Sequence, residues 1–265
     1  MPIESYKMGT MNSDEVILGG NSFDGLVPFE LPPGQLNVSD FAAATAQWPA
    51  EMKEIYPLSR FGGNTNAPLA MSDGDCCVVC AGYELARLMT NAGARVHTFY
   101  YDYGPVCGDE AITKQLTTPS SGWASHASEI PWVFVSQSAA LPFVFVLRES
   151  AAQGTDDICF RNASEIGLTD AMQELWSSFG RTGIPQSGGL SWPPHTGDLE
   201  AGQTMILDLK PRVESGVKAR DCKTMLEVAK CGTPPPPPPP PPGPGAAEPN
   251  GAWGHVHARR LVNGF

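Results

Sequence analysis

Nine consecutive prolines, Pro234 to Pro242, decide how much of this chain can fold. Proline has no N–H for a helix or sheet and its φ is fixed, so such a run forms an extended polyproline II rod. A rod of this kind has no capacity to build a core. The chain therefore divides into residues 1–231, which can fold, and residues 232–265, expected to be a disordered proline-rich tail. The tail carries His255-x-His257, a metal-type spacing on a segment with nothing to hold it rigid. The rod itself suits SH3- or WW-type modules as a ligand.

Composition narrows the class of protein. Hydrophobic residues make up 42% and charged residues 17%, which fits a globular domain with a real core. The net charge of −11 argues against nucleic acid and anionic membranes as partners. Cys77 and Cys80 form a C-x-x-C, but no second pair completes a zinc set among the seven cysteines. No charged-then-apolar leader is visible in the first residues. The most apolar segment, residues 130–147, is interrupted by Pro131 and Pro142 and by three polar residues, and so reads as no membrane span.

Taken in order, residues 15–20 (EVILGG) read as a buried strand running into the turn Asn21-Ser22-Phe23-Asp24-Gly25. An acidic residue just past the carboxyl end of such a strand is where α/β sheets place working groups, although a plain Asp-Gly turn is the simpler alternative. Residues 39–56 predict helix capped by Ser39 or Asp40 and broken at Trp48-Pro49. The spacing of Val79, Leu85, Leu88 and Met89 predicts a helix over 73–92, closed by Gly93. Residues 94–103 (ARVHTFYYDY) are β-branched and aromatic and form the second strand, with His97 as a structural residue inside it. Residues 168–183 predict an amphipathic helix capped by Thr169 or Asp170, with Met172, Leu175, Trp176 and Phe179 on its buried face. A short strand at 204–209 and a last helix at 218–230 follow.

Between the aromatic strand and that amphipathic helix lies GWASHASEIPWVF, residues 122–134. Small residues flank His126 and leave its ring accessible, while the element beginning near Glu129 can anchor the loop. A histidine in an ordinary surface loop would look the same.

The order of GGNSFDG, DCCVVCAGYELA, ARVHTFYYDY, SHASEIPWVF and AMQELWSSFGRTGIP with its trailing WPP resembles the C-terminal part of the type-B carboxylesterase, or cholinesterase-like, family of α/β hydrolases. The resemblance covers residues 14–228. It implies parallel strands with flanking helices, an ester substrate and no cofactor or metal. It makes Asp24 the acid and His126 the general base of a Ser–His–acid triad. It also implies a disulfide between Cys80 and Cys222. With the sequons Asn37-Val-Ser39 and Asn162-Ala-Ser164, it points to the secretory route.

Four departures stand out. The family more often has Glu where this chain has Asp24. Ala127 occupies the position after the histidine, usually Gly, and Trp123-Ala124 stand where Gly-Ala is usual. No serine has the G-x-S-x-G context of a nucleophile elbow, and Ser22 and Ser191 come nearest without its closing glycine. The chain is therefore expected to carry the acid and histidine half of the fold, inactive alone, with the nucleophile-bearing half as its possible partner. A non-catalytic, cholinesterase-like interaction protein is the alternative.

Overall fold

The computed structural model describes residues 14–25, 36–104, 124–134 and 163–229. The proline-rich tail, His255, His257 and the sequon at Asn162 lie outside these residues. Two β-strands, β1 (Glu15–Asn21) and β2 (Arg95–Tyr101), run parallel and in register over their whole length, from Glu15 opposite Arg95 to Asn21 opposite Tyr101. After the two-residue strands β3 (Gln186–Ser187) and β4 (Leu190–Ser191), β5 (Gln203–Leu207) joins the other side of β2, also parallel. The antiparallel β6 (Arg212–Ser215) ends the sheet, whose order is β1-β2-β5-β6.

Alternation along the central strands sorts the core into layers, because successive side chains of a strand point to opposite faces. Tyr100 and Ile206 face one cluster, which holds Met52, Tyr56, Phe61, Val79, Tyr83 and Met225. Their neighbours Tyr101, Met205 and Leu207 face the other, with Trp132, Leu168, Met172, Leu175 and Trp192. Val96 continues the first face toward Ala86 and Met89. Helices thus cover both faces of a mostly parallel sheet, as expected from the sequence.

The helices differ from expectation mainly at their beginnings. α1 (Val38–Ala44) is capped by Asn37, whose Oδ1 accepts the Asp40 N–H at 2.9 Å, so neither Ser39 nor Asp40 is the cap. α2 (Ala50–Ile55) follows the break at Trp48-Pro49. α3 (Asn66–Gly74) starts seven residues before the expected 73 and runs through a π turn at Asp75–Val79 into α4 (Cys80–Asn91). After the five-residue α5 (Ile130–Phe134), α6 (Ala163–Thr182) likewise begins early. Thr169 is interior to it, its hydroxyl donating back to the Glu165 carbonyl at 2.9 Å. Gly183, at φ 72°, closes α6 as foreseen. The closing helix α7 (Ala219–Glu227) is tied to α4 by the Cys80–Cys222 disulfide, with Cα atoms 4.9 Å apart.

His97 is a packing residue. It is buried in β2, its ring edge-on to Phe179 and Trp192 at 6.0 and 5.9 Å. Burial pushes its pKa down and so favours the neutral ring.

Candidate functional site

β1 delivers Asp24 three residues beyond its end, in a turn packed backbone to backbone against α3. A Cβ on Gly25 would lie 2.0 Å from the Ala70 carbonyl oxygen, and one on Gly74 would lie 2.4 Å from the Gly25 nitrogen. Only glycine at both positions allows this approach, which fixes the height of the acid above the sheet.

His126 comes to the same place on a segment that follows β2 in the chain. Phe23 and Ser125 form a parallel bridge just past β1, and the Phe23 N–H donates to the Ala124 carbonyl at 2.9 Å. On the other flank, Trp132 is buried beside Tyr101 and Tyr103, with ring centroids 6.5 and 5.5 Å apart. Bridge and tryptophan hold both ends of the loop. Between them, Ser128 N–H closes a turn on the Ser125 carbonyl at 3.1 Å. Ala127 is the third residue of that turn, at φ 64°. A positive φ at this position favours glycine, and it costs an L-residue about 1–2 kcal/mol. The glycine usual here by resemblance has this physical reason.

The two side chains meet. His126 Nδ1 lies 2.9 Å from Asp24 Oδ1 across 102 residues of sequence. The acid's side chain is 4% exposed and the imidazole 51%. The second oxygen, Oδ2, accepts the Asn21 backbone N–H at 2.5 Å. Burial pushes the Asp24 carboxyl above its ordinary pKa, outweighing the Asn21 N–H and the His126 contact, which pull it down. With Asp24 accepting from Nδ1–H, the tautomer that remains has Nε2 as a free acceptor, the form a general base needs.

Sequence reasoning missed Asn21. Its Nδ2 donates to the Ser125 carbonyl at 2.7 Å and to Glu129 Oε2 at 2.6 Å, across 104 and 108 residues. Ser22, one of the two near-miss serines, is buried with its Oγ facing the Ala124 N–H at 3.4 Å. Ser191 lies in β4. Among the described residues no group of three His, Cys, Asp or Glu could hold a metal, and no helix is long and apolar enough to cross a membrane.

The model of the carboxylesterase family matches residues 40–225. Carboxylesterase 5A of Felis catus is 28% identical over 165 residues, which is 60% of this chain and 26% of that protein. Carboxylesterase 5A of Homo sapiens is 30% identical over 123 residues, 46% of this chain and 18% of that protein. The chain thus aligns with about a quarter, or less, of the length of these relatives. Among solved structures, a thermophilic pNB esterase superposes with a TM-score of 0.54 at 18% identity, covering 84% of this chain and 41% of that one, a likeness of fold. A family match across well over half the sequence and a shared α/β-hydrolase fold agree with the order of motifs read along the sequence: this chain belongs to the carboxylesterase family.

Proposed function

We propose that this chain is the acid- and histidine-bearing part of a carboxylic ester hydrolase, whose nucleophilic serine lies outside these 265 residues. The observation that carries this reading is the 2.9 Å contact between a buried carboxylate and a half-exposed imidazole in a carboxylesterase-family chain. In the proposed reaction Nε2 of His126 takes the serine proton as Oγ attacks the ester carbonyl. It returns that proton to the departing alcohol, and the same cycle with water releases the acid. Asp24 keeps its proton-accepting Oδ1 on Nδ1–H, holding the ring in the productive tautomer and stabilising the imidazolium.

The sheet supports a contribution from further strands. Among the described residues, the outer edge of β1 pairs with no strand. Val16, Ile17 and Leu18 of β1 are only half-buried, although inner parallel strands are usually covered on both faces. A secretory route fits the exposed sequon at Asn37 and the Cys80–Cys222 disulfide.

The test exposes the purified chain, alone and together with the N-terminal half of a carboxylesterase, to a chromogenic short-chain ester and a fluorophosphonate probe. Alone, it should show neither turnover nor labelling, because the histidine and acid only assist a nucleophile. Complemented, it should turn over ester in a manner abolished by His126→Ala. Labelling of a serine within this chain alone, or complemented turnover indifferent to His126, would overturn the proposal.

A further inference from the structure

We propose that Asn21 is the positioning residue that keeps His126 seated on Asp24, a role that rests on the acid–base reading above. Asn21 is the last residue of β1 and 2% exposed. Its backbone N–H binds Asp24 Oδ2 at 2.5 Å, which turns the carboxylate so that Oδ1 faces the imidazole. Its side chain then crosses to the histidine's loop. Both amide hydrogens are used there, one on the Ser125 carbonyl at 2.7 Å and one on Glu129 Oε2 at 2.6 Å.

These two partners lie on either side of His126, one residue before it and three after. One buried amide therefore spans the histidine and ties both flanks to the strand that carries the acid. The orientation of the amide is fixed by chemistry, since a carbonyl and a carboxylate are both acceptors. A flipped amide would set its oxygen against them. The span matters because the loop between its ends contains Ala127 in the left-handed region. A loop bent against its preference relaxes unless something holds it, and a half-exposed ring has little packing of its own to keep it in place.

Glu129 completes the arrangement. Its carboxylate is near enough to Asp24 to add to the upward push on that acid, yet its Oε2 is engaged by Asn21. Replacing Asn21 by Asp would face Glu129 with a second carboxylate. Replacing it by Leu would keep the volume and lose both hydrogen bonds.

The histidine's tautomer reads this role. Nitrogen-15 NMR on the histidine-labelled full chain distinguishes Nδ1–H from Nε2–H, with Asp24→Ala as the reference for a lost acid. The native chain should hold His126 mainly as Nδ1–H, and Asp24→Ala should release it to the Nε2–H form that free imidazole prefers. Asn21→Leu should shift it at least halfway to that reference, with buried His97 unchanged. Glu129→Ala and Glu129→Gln remove the same charge, but Gln keeps an acceptor for Asn21. The Ala variant should shift the tautomer and the Gln variant should not.

If Asp24→Ala shifts His126 while Asn21→Leu leaves it native, the positioning role is wrong and the pair stands. If Asp24→Ala changes nothing, the pairing fails and the acid–base reading with it. If Asn21→Leu does not fold, the Glu129 variants decide, and equal tautomers in Ala and Gln overturn the proposal.

Discussion

Among the described residues two buried carboxylates each hold a basic side chain, and they are built to opposite ends. Asp75, at the start of the π turn, pairs with Lys218 Nζ and also accepts the Tyr56 hydroxyl at 2.7 Å. Both partners are enclosed, with side chains 1% and 8% exposed. Asp24 is as deeply buried, but its partner His126 is half in solvent. In both places the base is presented by a backbone bent into the left-handed region, at Lys218 itself (φ 54°) and at Ala127 beside His126 (φ 64°). The enclosed pair holds α7 against the π turn, since neither charge reaches solvent. The half-open pair leaves one ring nitrogen free to exchange a proton. The same kind of contact becomes structure or chemistry according to which partner is left outside.

Four measurements would break or sharpen this contrast. The largest effect should come from Lys218→Met, which strands a buried carboxylate and should cost about 3–5 kcal/mol by urea denaturation. The double variant Asp75→Leu with Lys218→Met should recover most of that loss. A double variant as unstable as the single one would mean the site needs the charges themselves.

At the other site, Ala127→Gly should gain about 1 kcal/mol by relieving the positive φ, with the His126–Asp24 contact unchanged. A loss of stability would show that the turn is not strained by its alanine. His126→Ala should cost about 1 kcal/mol, well below Lys218→Met, since the ring is half exposed and water can take its place at Asp24 Oδ1. A cost as large as that of Lys218→Met would make the two pairs alike and erase the distinction.

The smallest effect is a slope. Because burial raises the Asp24 pKa in the folded chain, folding favours its protonated form. The stability this contributes is full below the unfolded value, near 3.8, and is lost as pH rises through the folded value. Relative to Asp24→Asn, the native chain should therefore lose stability as pH rises upward from that range. A difference that stayed flat, or reversed sign, would show that His126 and Asn21 outweigh burial at this acid.

Much of this was readable from the sequence where the signal is local. The strands at 15–21 and 95–101, the break at Trp48-Pro49 and the glycine ending α6 each follow from neighbours a few residues apart. Helix beginnings were less legible. Asn37 and Ser39 are both good caps, and only the Asn37–Asp40 bond decides between them. Thr169 looks like a cap in sequence, yet its hydroxyl is satisfied inside a helix that began at Ala163. The resemblance pointed to Asp24, His126 and the Cys80–Cys222 bridge because motifs carry positions with them. Its motifs include Asn21 and Asp75 but gave neither a role, because the contacts of Asn21 with the histidine's loop and of Asp75 with Lys218 span 104 to 143 residues.

The disulfide also has a topological meaning. Cys80 and Cys222 close a ring with a sequence separation of 142, and that ring contains β2, His126, α6, β5 and β6. β1 and Asp24 lie on the arm outside it. The base therefore belongs to a covalently closed body and the acid does not. A pull on the arm could peel β1 from β2 and part the acid from the base without breaking any bond of the ring. Mechanically, the pair is a clasp between a loop of fixed length and a free strand. It opens by undoing one ladder, the Asn21 contacts and the glycine seam against α3, while the body holding the histidine stays whole.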